Sequence, residues 1–396
     1  MHLALSSDER RLRSTLREYF GELLAGEFAD LVHEDHGPRY RDWIRRLGED
    51  GWLGIGWPTR YGGRGRGPIE QHLFFDEAQR AGAPVPMIAL NTVGPTLMAH
   101  GTPEQRATYL PRILRGEIDF AIGYSEPGAG TDLAALRTRA VRDGDHYVVN
   151  GSKVFTSRGA TADFVWLAAR TDPDTHDHHG ISVLIVDTAS DGYKASPIRT
   201  VAGYDTYATY YDDVAVPVAN LVGEEHRGWG LIATQLNHER IGMAAFGGLA
   251  SRLYEDVLAW AREPGTDGRR PIERPWVRSD LARCRVALDA MTLLNRRMAW
   301  ELGRQAPDPA SSSVVKVYGT EAVIEVYRLL MGIVGPESTL ASRDGEGSRW
   351  ADLDFAYRRA TINTYGGGTN EIQREIIART ALGLPRVPRR AAGVRP

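Results

Sequence analysis

Four stretches of the chain carry residue types and spacings that suit chemistry. Tyr124-Ser125-Glu126-Pro127-Gly128-Ala129-Gly130-Thr131-Asp132 combines glycines, which let a backbone approach a ligand, with hydroxyls at Ser125 and Thr131 that can bond a heteroaromatic edge or a phosphate. The same residues also describe a capped glycine turn. In Gly151-Ser152-Lys153-Val154-Phe155-Thr156-Ser157 an aromatic ring lies between hydroxyls, where it can cover a flat cofactor and bond its edge; an ordinary strand fits these residues too. Tyr365-Gly366-Gly367-Gly368-Thr369-Asn370-Glu371-Ile372-Gln373-Arg374 reads as a glycine turn opening a helix capped by Thr369 or Asn370, and such a helix start offers N–H groups to a phosphate or carbonyl oxygen. The fourth stretch is helical: Ile232, Leu236, Glu239, Met243, Phe246 and Ala250 follow one another at spacings of three and four, so they form one core-facing stripe. Glu239 is its one charged member. An unpaired buried carboxylate is costly, so Glu239 calls for either a structural partner or a function.

Other polar groups read as structural. His238 points about 100° away from Glu239 around a helix and forms no dyad with it. His176-Asp177-His178-His179 follows Asp172-Pro173-Asp174 as a solvated loop rather than a metal site. Asp212-Asp213 reads as a strand edge, and Glu126 as part of its own turn's bonding. No Lys-Ser/Thr follows the glycines of the first stretch, so it is neither a Walker loop nor a dinucleotide-binding fingerprint.

Three regions of different periodicity must position these groups. Residues 6–116 are helical, with Leu12, Leu16, Phe20 and Leu23, then Trp43, Leu47, Trp52 and Leu53, at helical spacings. Residues 69–80 form a helix, and Thr102 with Gln105 predicts a capped helix over 102–114. Between 117 and 222 the texture becomes β-branched and aromatic runs broken by Gly, Asp and Asn. Asp143-Gly144 and Asn150-Gly151 read as hairpin turns around a short strand at 146–149, with further strands at 165–170, 181–186 and 210–216. Beyond residue 223 long helices at 229–262, 275–304, 310–334 and 370–381 suggest a four-helix bundle, and 386–396 reads as a tail. The expected fold is mostly α with a central antiparallel β domain, divided at 1–116, 117–222 and 223–385.

Composition narrows the function class. A chain of 396 residues is long enough to bury a large cofactor. With 42% hydrophobic and 25% charged residues and a net charge of −3, it is neither disordered nor a basic nucleic-acid binder. Cys284 is the single cysteine, which excludes an intramolecular disulfide and a cysteine metal cluster. No run approaches the roughly 18 apolar residues of a membrane span, and the N-terminus lacks a signal-peptide core, so the expected setting is the cytoplasm. Lys153, Lys194 and Lys316 are the only lysines, against 45 arginines, a bias that reflects a GC-rich genome.

Taken in order, the glycine-bearing segments resemble signatures of the acyl-CoA dehydrogenase family. Ser125 through Asp132 is similar to the family's first signature. Residues 371–378 with Leu382-Gly383-Leu384-Pro385-Arg386 are similar to its last, and Asp213-Val214-Ala215-Val216-Pro217 with Gly223 and Gly228-Trp229 resembles its exit from the β domain. The resemblance covers most of the chain. It implies an N-terminal helical domain, a β domain and a C-terminal four-helix bundle, with FAD held between the last two. The implied reaction is oxidation of the Cα–Cβ bond of an acyl thioester, on CoA or a carrier protein, with α-proton abstraction and hydride transfer to flavin N5.

By position, Ser125 falls at the flavin's pyrimidine edge, Phe155 against the ring system and Ser157 near N5. Thr131 falls near the cofactor phosphate, and Thr369 and Glu371 at the cofactor. Asn237 and Arg240 fall on the substrate side. Many members carry the catalytic glutamate just before the last signature's Gly-Thr; here that residue is Gly367, whose backbone N–H can still serve the thioester carbonyl. A minority place the base on the first bundle helix, where Glu239 matches. An Arg-x-x-Phe-Gly motif that reaches a neighbouring subunit's FAD in many homotetramers is missing from 261–275, and the usual Gly-Gly turn is altered to Met331-Gly332-Ile333-Val334-Gly335-Pro336. These departures resemble an actinobacterial branch of sterol and secondary metabolism that includes heterotetramers with incomplete FAD sites. A homo- or hetero-oligomer, dimer or tetramer, follows, with electron-transfer flavoprotein or oxygen as acceptor. The rival readings are a non-catalytic partner subunit and a flavin oxidase or nitrogen-oxidising enzyme on the same fold.

Overall fold

A computed structural model describes residues 4–385 apart from 30, 32–35, 176, 244–246, 266–267, 305–308 and 341–348; for 236–243 and 309 it describes the helical backbone alone. The chain opens with α1 (Ser7–Ala25), α2 (Gly37–Glu49), α3 (Pro68–Ala81), α4 (Gly94–His100) and α5 (Pro103–Leu114). Capping boxes start two of them. Ser6 Oγ accepts from Glu9 N at 3.2 Å, and Thr102 Oγ1 accepts from Gln105 N at 3.2 Å while Gln105 Oε1 accepts from Thr102 N at 3.1 Å. Gln105 does a second job, donating through Nε2 to Ala219 O and Leu221 O at 2.7 Å each.

Eight strands follow: β1 (Phe120–Gly123), β2 (Arg139–Asp143), β3 (His146–Lys153), β4 (Phe164–Arg170), β5 (Ile181–Asp187), β6 (Tyr193–Arg199), β7 (Asp205–Pro217) and β8 (Leu221–Val222). Their order is β6-β7-β3-β2-β4-β5-β8, with β1 beside β4. The sheet is mostly antiparallel, but β1 runs parallel to β4, and β2 meets β4 at a single parallel pair. β4 is buried on both faces. Trp166 and Ala168 pack with the N-terminal helices, and Val165, Leu167 and Ala169 pack with Tyr147, Tyr211 and Val214 on the other side. Such two-sided burial explains its unbroken apolar run.

One expected hairpin is absent. Asn150-Gly151 lies inside β3, where the register to β7 shifts between Val149 and Gly151. Gly151 has φ +148, and a Cβ there would sit 2.6 Å from Thr138 Oγ1. Opposite it, Asp213 has φ 50, and Asn150 Nδ2 donates to Asp213 Oδ1 at 2.8 Å. The turn-type dipeptide stays within the strand, and the bulge lies across from it in β7, where Asp212 and Asp213 face Asn150.

After the sheet come α6 (Gly228–Met243), α7 (Gly247–Ala261), α8 (Pro275–Gly303), α9 (Pro309–Val334), α10 (Ala351–Ala360) and α11 (Asn370–Thr380). The helix expected over 229–262 is described as α6 and α7; Phe246 of the stripe through Glu239 lies outside the described residues, and of Leu236, Glu239 and Met243 the helical backbone alone is described. Gly248 lets α7 approach α3 closely, because a Cβ there would lie 2.4 Å from Asp76 O. Four helices do share one apolar core, but they are α7, α8, α9 and α10. The short α10 was not expected, and α11 buries only Asn370 and Gln373. No helix among the described residues is long and apolar enough to cross a membrane.

Candidate functional site

The first glycine segment is built around Glu126. Its carboxylate accepts from Arg137 N at 2.7 Å, Thr138 N at 2.8 Å and Lys153 Nζ at 2.9 Å, so it braces its own loop. Lys153 is 0% exposed and also donates to Tyr124 O at 3.0 Å. Burial pushes the Lys153 ammonium down to about 8 against the pull of Glu126. Burial would also raise the Glu126 carboxyl, yet the Lys153 charge and the donors from Lys153 and Thr138 hold it below its ordinary value. Val154 N donates to Ser125 O at 2.8 Å, which places the first segment directly beside the second.

Phe155 then takes an uncommon conformation. It has φ 60 and is 67% exposed, so a large apolar ring stands in solvent on a left-handed backbone. Thr156 anchors the turn from below, fully buried, with its N–H on Tyr207 O at 2.9 Å. Arg158, also left-handed at φ 61, fixes the exit by donating to Tyr40 Oη at 2.6 Å and Asp119 Oδ1 at 2.9 Å. Ser157 is exposed between them and Ser125 is half-buried. A cleft of about 550 Å³ adjoins this turn, lined in part by Arg158, Arg199, Tyr204 and Tyr207.

At the C-terminal segment, Gly367 and Gly368 have φ 66 and 94, a left-handed pair that other residues adopt at a cost. Thr369 is the helix cap, with Oγ1 accepting from Ile372 N at 3.3 Å. Asn370 is the first helical residue and is buried, its Nδ2 donating to Thr320 Oγ1 and Glu321 Oε1 at 3.0 Å each. Lys316 Nζ, on α9, donates to Gly368 O. Glu371 is exposed.

Helix α6 links the two halves. Gln235 is 1% exposed, and its Oε1 accepts from Tyr124 Oη and, at 3.3 Å, from Trp166 Nε1. α6 also packs on α9, the helix that holds Gly368. Asn237, Glu239 and Arg240 lie on the next turn and a half of α6; their side chains fall outside the described residues, as does His238.

Ser125, Phe155 and Ser157 thus come together on one loop pair, and Thr131 lies on the exposed arm of the same loop. Gly367 and Thr369 share a second site edge on α9 and α11. These features fit a flat, phosphorylated cofactor such as FAD. Neither Gly128 nor Gly130 has left-handed backbone, and a Cβ on either would meet nothing within 4 Å. The chain's own packing therefore does not demand glycine there, while a ligand lying over the loop would. The α11 N-terminus adds partial positive charge for a phosphate or carbonyl oxygen.

Several groups stay outside. Asp177 and His179 are exposed and bonded to each other at 2.8 Å, and Arg170 ties down their loop through His179 O at 2.9 Å and Asp177 O at 3.1 Å; His176 lies outside the described residues. Cys284 is buried in the bundle core, its thiol pushed up to about 12 by burial, and is inert. The buried positions of Lys153, Lys316 and Gln235 were not read from sequence. A signal existed for the lysines: they are three against 45 arginines, and two of the three prove to be buried.

Family models cover nearly the whole chain. Those of the acyl-CoA dehydrogenase N-terminal, middle and C-terminal domains match residues 6–117, 121–214 and 226–382. The chain is 46% identical over 405 residues to acyl-CoA dehydrogenase FadE26 of Mycobacterium tuberculosis, and 48% identical over 394 residues to FadE29 of the same organism. Each match spans 98% of this chain and 100% of the relative. Among solved structures it is similar to the Tcur3481-Tcur3483 steroid ACAD (TM-score 0.93, 50% identity) and to the ChsE4-ChsE5 complex from M. tuberculosis (TM-score 0.91, 47% identity). Both matches cover 98% of this chain and 100% of the other.

Proposed function

This chain belongs to the acyl-CoA dehydrogenase family of flavin oxidoreductases, and from that premise we propose that it binds FAD and removes two hydrogens from the Cα–Cβ bond of an acyl thioester, with Glu239 as base. The observation that carries the reading is Phe155: a large apolar ring is held exposed on left-handed backbone, on the turn that Val154 ties to Ser125 and that continues into Ser157, an arrangement suited to a flat ligand. Ser125, Thr131, Phe155, Ser157, Thr369 and Glu371 would hold the cofactor. FAD held by these residues would supply the acceptor for the hydride from Cβ.

The chain's own residues do the rest. Glu239, on a helix tied to the first glycine segment by Gln235, takes the α-proton, which is too weakly acidic to leave unaided. The Gly367 N–H donates to the thioester carbonyl oxygen as charge develops there, a contact that matters most in the transition state. Asn237 and Arg240 line the substrate side. A glycine where many members carry the base leaves that duty to α6.

The two-chain complexes among the similar structures favour pairing with a second, different chain. The steroid in the name of one of them makes a steroid-derived acyl thioester the first substrate to try. The test is to purify the chain alone and with a genetically paired partner, read the flavin absorbance, and assay a panel of acyl thioesters with an artificial acceptor. Stoichiometric flavin and reduction of the acceptor with at least one thioester support the reading. A colourless chain that stays colourless with its partner, and no turnover, would overturn it.

A further inference from the structure

The role of α11 rests on how it is fastened. Its fully buried residues are Asn370 and Gln373, both polar, so apolar burial does little to fix it on α9. Polar contacts do so instead: Glu321 of α9 accepts from Asn370 and Arg374, and three buried rungs rise from α9 at positions 313, 316 and 320, spaced three and four apart. Ser313 Oγ donates to Gln373 Oε1 at 2.9 Å, Lys316 Nζ donates to Gly368 O, and Thr320 Oγ1 accepts from Asn370 Nδ2 at 3.0 Å. All three α9 side chains are buried. The middle rung differs from its neighbours because it ends on the backbone of the glycine turn rather than on a side chain of the helix. The turn is also packed from that side: a Cβ on Gly368 would sit 2.9 Å from Gln373 Nε2.

We infer that Lys316 is a positioning residue that sets the orientation of the glycine turn for the reaction proposed above, on which this inference rests. The reason is peptide geometry. The Gly368–Thr369 peptide is planar and trans, so its C=O and N–H point in opposite directions. With Gly368 O drawn inward to Lys316, the Thr369 N–H is turned away from α9, and the Gly367 N–H, which belongs to the Gly366–Gly367 peptide, is constrained through the successive left-handed φ of 94 at Gly368 and 66 at Gly367. The turn has three glycines in succession, two of them left-handed, and is intrinsically loose. One buried ammonium selects a single peptide orientation and so aligns the donors that are to meet the thioester oxygen and the cofactor. A shorter or apolar side chain at 316 leaves the turn free to flip. An arginine would bring a wider, planar head to a buried position now filled by a compact ammonium.

The experiment compares Lys316→Met, Lys316→Gln and Ser313→Ala with the parent. Hydrogen–deuterium exchange on the flavin-free chain is expected to show amides of 366–372 exchanging at least tenfold faster in Lys316→Met, with α8 unchanged. In the loaded enzyme or its complex, kcat falls about tenfold or more while the thioester KM stays within threefold, because the misplaced donors act chiefly in the transition state. Ser313→Ala removes a rung that does not touch the turn, and is expected to lower the melting temperature but leave kcat within twofold. Lys316→Gln keeps a donor on a shorter arm and should fold even where Lys316→Met does not, with an intermediate gain in exchange. Parent-like exchange over 366–372 in both Lys316 variants, or equal kcat losses in Ser313→Ala and Lys316→Met, overturns the inference. A parent that holds no flavin and turns over no thioester counts against the proposed function instead, and the exchange result stands separately from it.

Discussion

Replacing Lys153 by methionine tests whether the first glycine segment is held as described. The substitution keeps an unbranched side chain one heavy atom shorter and removes the charge. Glu126 then retains its bonds to Arg137 N and Thr138 N but loses the ammonium at 2.9 Å, leaving a buried carboxylate short of its counter-charge. Breaking one side of a buried pair costs about 3–5 kcal/mol, which is roughly two to three and a half decades in the folding equilibrium. Glu126→Gln is expected to cost a similar amount, since it strands the ammonium with Tyr124 O. The double variant carries neither charge, so its loss should fall short of the summed single losses by about 0.5–3 kcal/mol. Urea denaturation of the flavin-free chain, followed by far-UV circular dichroism, measures all four. A Lys153→Met chain within about 1 kcal/mol of the parent, or strictly additive single variants, would refute the bracing role.

Further outcomes follow from single positions. Phe155→Gly removes a left-handed strain of about 1–3 kcal/mol and an exposed ring, so the flavin-free chain should melt no lower than the parent while the FAD dissociation constant rises at least tenfold by fluorescence titration. Gly248→Ala gains helix propensity of about 1 kcal/mol but drives a methyl to 2.4 Å from Asp76 O, so net destabilisation of about 1–3 kcal/mol is expected in thermal melts. The Glu126 carboxyl titrates below its ordinary 4.5 in the folded chain, so the unfolded chain takes up this proton first. Its stabilising contribution is complete above pH 4.5 and fades as pH falls further, and an acid titration of Glu126→Gln should lack that part of the decline.

Much of the architecture was legible because it rests on local signals. Thr102 with Gln105 marked its helix start, and apolar periodicity marked the three regions. Residues whose fate depends on a distant partner were less so. Asn150-Gly151 has turn chemistry, but pairing with Asp213 across the sheet keeps it in the strand, opposite a bulge in β7. β1 is only four residues long and pairs in parallel with β4, a neighbour that local pattern does not name. α10 contributes to the bundle core with just ten residues. At the site, the segments Ser125–Thr131, Phe155–Ser157 and Gly367–Thr369 were all visible by composition. The left-handed backbone of Phe155 was not, because phenylalanine carries no preference for it. The burial of Lys153 and Lys316 was not legible either, because it rests on partners distant in sequence, Glu126 and Gly368.

The most direct test of the dehydrogenase reading is anaerobic reduction of the bound flavin by an accepted acyl thioester, in the parent and in Glu239→Gln. The parent flavin should bleach at 450 nm within the dead time of manual mixing, and the variant should bind FAD equally and fold alike yet bleach at least a thousandfold more slowly. Bleaching at the parent rate in Glu239→Gln would remove Glu239 from the mechanism and contradict the assignment of the base to α6.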